Sequence, residues 1–378
     1  MTQKAYVAGY RRSPFTFARK GALAGVRPDD LGAQVVAGLI DSLSLPGDEI
    51  EDVVWGCAFP EGEQGLNIGR VTGLLAGLPE TVSGATVNRW CGSSIQAIQM
   101  AAGMLVMGSG DAFIAGGVES MSRVPMMGFN ILPPPNWTDE AVSDFIKVGL
   151  TAERVAREYG IGRIDQDEFS LVSHQKAKAG GAAHRFDDEI VPIRVDDMEI
   201  RSDGCPRDTS LQKLSNLSPA FLEKGSVTAG NSSPMSDGAS ALLVCGDEFL
   251  RRHDLEPLAR IESFAVSGCA PGLMGMGPVE ATRKALARAS MTIDDIDIVE
   301  MNEAFAAQAE ACRRELGIDP ARLNIDGGAI ALGHPLGATG GRLVGKAAQL
   351  LRREGKRSAL ATQCIGGGMG IAMILVAP

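Results

Sequence analysis

The stretch Val87–Ala97, VNRWCGSSIQA, places a cysteine at the junction between a β-type run and a helix. Ala-Thr-Val at 85–87 is typical of a strand, and apolar residues recur at helical spacing from Ile95 to Leu105. The unpaired backbone N–H groups of a helix N-terminus favour a thiolate, so we expect the pKa of Cys91 to be lowered. From this stretch alone, a nucleophile and an inert buried thiol are equally supported.

A similar turn recurs in the second half of the chain, where 327–340 reads GGAIALGHPLGATG. Three pairs of positions have nearly the same separation: Ile50 and Ile296 (246 residues), Cys91 and His334 (243), and Gly116 and Gly366 (250). These offsets predict an internal duplication, in which the last strand of each half leads through a Gly-rich turn into a helix. We therefore predict an α/β fold of two similar halves, with mostly parallel sheets and the helices outside.

The segment between the halves differs in composition and predicts an insertion. It contains Pro133–Pro135 and two helical patterns, 138–159 and 165–179, the second opening with the capping-box spacing of Asp165 and Glu168. The apolar run 239–245 is needed to complete the first half's sheet, which argues against a third independent domain. The predicted domains are an N-terminal half (1–117 plus about 239–250), an inserted substrate-binding loop domain (118–238) and a C-terminal half (251–378).

Composition and charge exclude several classes of protein. A net charge of −10 without a long run of Lys or Arg argues against nucleic acid as a partner, although a helix N-terminus can still bind a phosphorylated small molecule. The longest apolar runs, such as 371–377, are far below the ~20 residues that span a bilayer. The first residues show no secretion signal, so we expect a soluble protein.

Cysteine usage points to a reducing compartment. The seven cysteines are odd in number, widely spread and without a CxxC pair, which argues against a disulfide framework and against a zinc or other metal site. We therefore predict a cytoplasmic protein with free thiols.

Histidine placement favours one candidate base. Of the four histidines, His334 lies in a Gly-rich turn before a helix, whereas His174, His184 and His253 lie in contexts typical of solvated surface. In a Cys–His pair the imidazole removes the thiol proton and the thiolate attacks an acyl carbon. Cys91 and His334 therefore form the candidate pair.

Two further polar positions are candidates for the same site. Cys364 precedes Gly366–Gly368, whose N–H groups are suited to bind a developing oxyanion. Asn302 follows the apolar Ile298-Val299 and offers an amide that can hold a water or a carbonyl. On its own, an asparagine in this context is more often a helix cap.

Taken in order, seven motifs resemble those of the thiolase family of acetyl-CoA acyltransferases over essentially the whole chain. They are VNRWCGSS at Cys91, AGGVESMSRVPM at 115–126, GLTAE at 149–153, TAGNSSPMSDGA at 228–239, NEAFAAQ at 302–308, GGAIALGHPLGATG at 327–340 and CIGGGMG at 364–370. The resemblance implies two duplicated βαβαβαββ halves in five layers, αβαβα, with an inserted loop domain. It implies a 3-ketoacyl-CoA thiolase, which cleaves 3-ketoacyl-CoA with CoA into acetyl-CoA and a shortened acyl-CoA.

The resemblance also implies roles for single residues. Cys91 resembles the nucleophile that carries the acyl group as a thioester, and His334 the base that activates it. Cys364 resembles the acid/base that protonates the departing acetyl-CoA carbanion and then deprotonates CoA. His334 and a water held by Asn302 resemble the site of the thioester oxygen, while the amides of Cys91 and Gly366 match the second oxyanion hole.

Other matches concern substrate binding. Ser233 lies where the family contacts pantetheine, Met274 and Phe305 match walls of the acyl pocket, and Val148 stands where short-chain members commonly have methionine. Val148 thus favours the degradative, fatty-acid β-oxidation branch. A biosynthetic acetoacetyl-CoA thiolase shares every catalytic residue and stays the alternative. Trp90 stands where leucine is common, and we expect it to influence which acyl chains are accepted.

Family membership would imply CoA and acyl-CoA as substrates, no permanently bound cofactor, and a homodimer or homotetramer, with a β-oxidation complex as a possible partner. A decarboxylating condensing enzyme shares the fold but uses two histidines and lacks the C-terminal cysteine. A non-catalytic lipid carrier would lose Cys91 or the NEAF and GHP motifs. The chain keeps all of them, which disfavours both alternatives.

Overall fold

A computed structural model describes residues 3–378. The strands are β1 (Tyr6–Arg12), β2 (Thr16–Phe17), β3 (Asp52–Gly56), β4 (Ser83–Val87), β5 (Ala112–Ser120), β6 (Ile193–Val195), β7 (Met198–Ile200), β8 (Ser236–Cys245), β9 (Ala259–Gly268), β10 (Ile298–Met301), β11 (Ser358–Ile365) and β12 (Met369–Val376). The helices are α1 (Pro28–Leu43), α2 (Ile68–Leu75), α3 (Ser93–Val106), α4 (Asp139–Ile146), α5 (Val148–Glu158), α6 (Arg163–Ala182), α7 (Leu211–Ser215), α8 (Asp247–Arg252), α9 (Gly277–Ala289), α10 (Ala306–Leu316), α11 (Ala329–Leu332) and α12 (Leu336–Arg353).

The main sheet repeats one strand order in both halves. It runs β4-β3-β5-β8-β1 in the first half and continues from β1 into β9-β12-β11-β10 of the second. At the seam, Tyr6 pairs with Arg260 and Val7 with Ala259. The strand β8 pairs with both β5 and β1, so the chain returns from the inserted segment to complete the first half's sheet.

Strand directions are mixed, so the prediction of mostly parallel sheets is wrong. The pairs β3–β4, β3–β5 and β10–β11 are parallel, whereas β8 and β12 run antiparallel to their neighbours. The Gly-rich turn after Ile365 makes a hairpin from β11 to β12 and does not open a helix. The segment that completes each half returns in the opposite direction, which apolar periodicity cannot reveal.

The duplication holds in detail for two of the three predicted pairs. The 3₁₀ turns Gly47–Glu49 and Ile293–Asp295 are 246 residues apart, as are the paired strand positions Asp52↔Phe113 and Ile298↔Ala359. The helices that follow Cys91 and His334, α3 and α12, begin 243 residues apart. Gly116 lies within β5, whereas Gly366 follows the end of β11, so these two glycines are not equivalent. The offset of 250 was a coincidence of composition.

Alternating strand side chains pack into separate layers. On β5, Phe113 and Ala115 face a central core that contains α3 and α12, while Ile114 faces a core beneath α1. On β12, Met373 faces the same central core and Ile374 faces a core beneath α9. The five layers are therefore αβαβα, and α3 and α12 lie in the middle, contrary to the expectation that all helices lie outside.

Helix α12 is buried along nearly its whole length, including two cations. Arg342 bonds Glu300 at 3.2 Å, and Lys346 bonds Asp326 at 2.9 Å and Glu189 at 3.1 Å. A buried charge is tolerated only when it is paired, so these contacts fix how α12 sits in the layer. Because Glu189 belongs to the inserted segment, they also join that segment to the second half.

The inserted segment leaves the sheet at Ser120 and re-enters it at Ser236. The pattern 138–159 forms two helices, α4 and α5, because Lys147 breaks the helix with φ −87° and ψ 71°. Asp165 does not start α6; its carboxylate accepts the Gly162 N–H at 2.8 Å from inside the first turn. The domain bounds given above stay a prediction. Over residues 3–378, no helix is both long and apolar enough to cross a membrane.

Leu343→Ala should lower the free energy of unfolding by about 2–5 kcal/mol, because it leaves a cavity in the central layer. Leu343 is fully buried there, whereas Leu66 is 91% exposed and serves as the matched control. Leu66→Ala should change stability by less than about 0.5 kcal/mol. Urea denaturation of both variants at one protein concentration checks this, and equal effects would contradict the assigned layers.

Candidate active site

Cys91 lies in the turn from β4 to α3, two residues before the helix begins. Trp90 adopts a left-handed backbone with φ +45°. Its N–H donates to Asn88 Oδ1 at 2.9 Å, and the Arg89 N–H donates to Ser93 Oγ at 2.9 Å. A left-handed non-glycine residue costs about 1–2 kcal/mol. These side-chain bonds hold the strained turn that presents the thiol.

The second half contacts this turn from β11. Gln363 Nε2 donates to the Cys91 carbonyl, and the backbone N–H groups of Gly366 and of Cys91 itself lie near enough to the Cys91 sulfur to favour its thiolate. A Cβ at position 366 would lie 2.4 Å from the Trp90 ring, so only glycine leaves room for both. The two predicted oxyanion amides therefore converge on the thiol.

Burial dominates the protonation of Cys91, so the expected lowering of its pKa is wrong. Desolvation raises the pKa of Cys91 to about 11, the two backbone amides oppose this rise, and the charge of Glu119 adds to it. The helix N-terminus alone does not stabilise a thiolate at this desolvated position. The thiol needs a base at the moment of reaction.

His334 occupies the turn between α11 and α12, as predicted. Its Nδ1 lies 2.6 Å from Thr339 Oγ1, whose hydroxyl donates to the Pro335 carbonyl at 3.0 Å. Thr339 must therefore accept from Nδ1–H, which leaves Nε2 unprotonated. Asn302 Nδ2 lies 3.2 Å from Nε2. Burial, with a contribution from Arg342, lowers the pKa of His334 to about 3, so the imidazole is neutral at physiological pH.

Glu119 joins the His334 turn to the first half. Its buried carboxylate accepts from Gly337 N at 2.9 Å, Ala58 N at 2.8 Å and Gln64 Nε2 at 2.7 Å. Burial raises its pKa. Leu336, two residues after His334, packs in one apolar cluster with Cys91. Sequence reasoning missed Glu119, whose only signal was its place in the AGGVES motif.

Cys364 is buried near the end of β11. The predicted pocket residues Val148, Met274 and Phe305 share one apolar cluster with it. Burial, reinforced by neighbouring Cys91, raises the pKa of Cys364 well above its usual range. Phe221, which no motif singled out, packs edge-on to Phe305 at 6.0 Å. These apolar side chains pack around the Cys364 thiol, and burial keeps that thiol protonated.

Asn302 and Ser233 both lie at the loop that follows β10. The Asn302 N–H donates to Thr362 O at 2.9 Å, and its Oδ1 is buried with no partner among the described residues. A buried amide oxygen without a partner is costly unless a water or ligand meets it. Ser233 Oγ donates to Ala304 O at 3.1 Å, which places Ser233 at the edge of the same loop.

The remaining histidines are not all solvated, as the sequence had suggested. His184 is exposed and bonds Asp187, but His174 is buried inside α6 and accepts from Arg207 N at 3.3 Å. Desolvation lowers the pKa of His174 to about 4. Across residues 3–378, no three His, Cys, Asp or Glu side chains are grouped so as to hold a metal ion.

Aromatic side chains connect the Cys91 turn to the inserted segment. The Trp90 ring lies 5.1 Å from Phe145 on α4, and Phe145 lies 4.9 Å from Trp137. Phe145 also covers Gly367, where a Cβ would come within 2.7 Å of its ring. Trp90 therefore supports the glycine loop, and its influence on acyl selectivity stays a prediction.

Comparisons with known proteins agree with this geometry. Residues 5–248 match the profile of the thiolase N-terminal domain, and residues 255–377 that of the thiolase C-terminal domain. A 3-ketoacyl-CoA thiolase of Bacillus subtilis is 46% identical over 98% of both chains. A β-ketoadipyl-CoA thiolase of Acinetobacter baylyi is 43% identical over 98% of both. The crystal structure of the Bacillus anthracis acetyl-CoA acetyltransferase superposes with a TM-score of 0.91 at 34% identity, covering 100% and 99% of the two chains.

The rate of Cys91 alkylation by iodoacetamide should rise about tenfold per pH unit from about pH 6 to about pH 9. The reason is that the thiolate fraction rises tenfold per pH unit below a pKa of about 11. Intact-mass measurement follows the reaction, and Cys91→Ala corrects for the other thiols. A plateau below about pH 8 would show a thiolate already present and contradict this account.

Proposed function

The chain belongs to the thiolase family, and we propose that it is a 3-ketoacyl-CoA thiolase. It would cleave a 3-ketoacyl-CoA with CoA into acetyl-CoA and an acyl-CoA two carbons shorter, and run in reverse as a Claisen condensation. The observation that carries the proposal is the pair of thiols, half-buried Cys91 and buried Cys364, with a neutral His334 held by Asn302.

In the first step, the Cys91 sulfur bonds to the 3-keto carbon. His334 Nε2 takes the thiol proton as the S–C bond forms, since neither group is charged beforehand. The carbonyl π electrons move onto oxygen, and the N–H groups of Cys91 and Gly366 stabilise that oxyanion. Their convergence on the Cys91 sulfur supports this assignment.

In the second step, the oxyanion reforms a carbonyl and the C2–C3 bond breaks. The electron pair leaves as the enolate of acetyl-CoA, whose thioester oxygen faces His334 and a water held by Asn302. Cys364 donates its proton to C2, which releases acetyl-CoA and leaves the acyl group on Cys91. A raised pKa suits this role, because it keeps Cys364 protonated until the carbanion forms.

The third step returns the enzyme to its resting state. The Cys364 thiolate takes the thiol proton of CoA, and the CoA sulfur attacks the acyl thioester of Cys91. The Cys91 sulfur leaves and regains the proton held by His334. CoA and acyl-CoA are thus the substrates, and these steps use the chain's own groups without a permanently bound cofactor.

The apolar cluster beside Cys364 would set the substrate range. Val148, Met274, Phe305 and Phe221 supply apolar walls for the acyl chain, and Ser233 lies where pantetheine would enter. We propose the degradative direction, in fatty-acid β-oxidation in the cytoplasm. The alternative is a biosynthetic acetoacetyl-CoA thiolase, which would use the same catalytic groups.

Association with a second copy is part of the proposal. Strand β4 ends the sheet, and large apolar side chains are exposed on neighbouring α2 and on or directly after α3. They are Leu74, Leu75, Met100, Val106 and Met107. A free strand edge beside apolar surface favours a homodimer. The exposed apolar segment 129–137 is a second surface, suited to a homotetramer or to a β-oxidation partner.

Acyl-enzyme formation tests the two thiols separately. Cys91→Ala should abolish the adduct seen by intact mass after incubation with acetyl-CoA. Cys364→Ala should keep the adduct and lose thiolysis by about 10²–10⁴-fold, the usual contribution of an acid/base group. Cys269→Ala, at a partly exposed thiol, is the matched control and should behave as wild type. An adduct that persists in Cys91→Ala would overturn the nucleophile assignment.

Chain length separates the two candidate functions. We expect kcat/KM to stay high for 3-ketoacyl-CoAs beyond four carbons, whereas turnover that stops sharply there would favour the acetoacetyl-CoA enzyme. Val148→Met should place a longer side chain against the acyl chain and reduce kcat/KM for long chains relative to the four-carbon substrate by about 10–200-fold. An unchanged length profile in Val148→Met would remove Val148 from the pocket wall.

A further inference from the structure

We propose that the side-chain amide of Gln308 reorients with the protonation state of Cys364, accepting a hydrogen bond from the thiol and donating one to the thiolate. Gln308 is thus a positioning residue that acts through Cys364. The inference rests on the proposed function, because it concerns how the acid/base thiol is kept ready for both proton transfers.

The starting geometry is a chain of hydrogen bonds that runs in one direction. Gln308 is fully buried in the first turn of α10. The Cys364 thiol donates to Gln308 Oε1 at 3.6 Å, and Gln308 Nε2 donates to the Cys312 sulfur at 3.9 Å. Cys312 in turn donates to the Gly275 carbonyl at 3.2 Å. The amide therefore lies between two buried thiols, and each of its ends faces one sulfur.

When Cys364 loses its proton, the Gln308 amide must present a hydrogen-bond donor to it instead of an acceptor. A thiolate only accepts hydrogen bonds, so Oε1 facing it would be repelled. Rotation of the terminal amide exchanges its ends, and this torsion has broad minima in side chains. Nε2 then donates to the Cys364 thiolate, and Oε1 accepts from the Cys312 S–H, which turns away from Gly275. Gln308 and Cys312 neither gain nor lose a proton, and both ends of the amide keep a hydrogen-bond partner.

No other side chain within residues 3–378 hydrogen-bonds the Cys364 sulfur. Its apolar neighbours include Met274 and Phe305. The titratable groups that face it are the thiols of Cys91, Cys312 and Cys269, all of which disfavour a further negative charge, while its own backbone N–H favours one. The Gln308 amide is therefore the polar side chain positioned to stabilise the thiolate once Cys364 has given up its proton.

Glycine at 275 leaves space for this side chain. A Cβ there would lie 3.0 Å from Gln308 Cγ and 3.1 Å from Gln308 Cβ, which is tighter than ordinary packing allows. The same residue supplies the carbonyl that receives the Cys312 thiol in the resting state. The backbone at Gly275 thus provides both the room for the amide and the resting position of the Cys312 proton.

Alkylation of Cys364 at about pH 8 to 9 in a Cys91→Ala background tests the proposal without requiring turnover. Gln308→Met keeps the size of the side chain but removes the N–H donor, so less thiolate forms and alkylation should be about three- to tenfold slower. Gln308→Glu places a negative charge beside the sulfur and should slow it further. In Gln308→Met, which adds no charge, Cys269 mapped in the same digest is the internal control and should react at an unchanged rate.

Cys312 provides a second pair of variants that spares Gln308 itself. Cys312→Ala leaves the rotated Oε1 without a donor and should slow Cys364 alkylation, whereas Cys312→Ser restores the donor and should restore the rate. If Gln308→Met does not fold, this pair carries the test. Equal Cys364 rates in wild type and Gln308→Met, or in Cys312→Ala and Cys312→Ser, would overturn the proposal.

Half-reactions separate this inference from the proposed function. Gln308→Met should reach the same extent of Cys91 acylation by acetyl-CoA as wild type, but more slowly, because this step is thiolysis in reverse; kcat for thiolysis falls about three- to tenfold with KM unchanged. If the wild-type protein shows no thiolysis, the proposed function fails. The alkylation series then still decides whether Gln308 stabilises the Cys364 thiolate. A wild-type kcat in Gln308→Met would overturn the positioning role.

Discussion

Helices α3 and α12 pack between the two halves of the sheet, and the other layers are built around them. Because α12 has almost no solvent face, its buried charges need partners, as Arg342 and Lys346 have. The duplication puts an equivalent turn at the start of each helix. One turn carries Cys91 and the other His334, so the candidate site is a product of the central layer.

The same dryness decides the chemistry. It raises the pKa of both thiols and lowers that of the imidazole, so the resting groups are neutral. In the proposed reaction, charge appears only as bonds form and break. The backbone N–H groups of Cys91 and Gly366, which lie at the Cys91 sulfur, are placed to stabilise the negative charge on the substrate oxygen. Preorganised dipoles in a water-poor site stabilise such charges without the cost of reorienting solvent. The burial that makes each group unreactive alone thus suits them to act in concert.

The sequence predicted well those features that depend on local pattern or on motifs. The α/β class, the duplication and the turns of Cys91 and His334 follow from periodicity and glycine placement, and the resemblance added the five layers. Prediction from the sequence failed where segments far along the chain decide the surroundings of a residue or strand. Strand direction, the burial of His174 and the raised pKa of Cys91 all depend on what packs against them. Glu119, Phe221 and Gln308 were missed for the same reason, since each acts by a contact with a residue far along the chain.

A crystal structure of the acyl-enzyme, trapped after incubation with acetyl-CoA, would show which thiol carries the acyl group. We expect continuous density from the Cys91 sulfur to the acyl carbon, with the carbonyl oxygen between the N–H groups of Cys91 and Gly366 and within hydrogen-bond distance of both. The Cys364 sulfur should remain free beside it. An acyl group on Cys364 would exclude Cys91 as the nucleophile, and a carbonyl oxygen directed away from both amides would exclude them as the oxyanion hole.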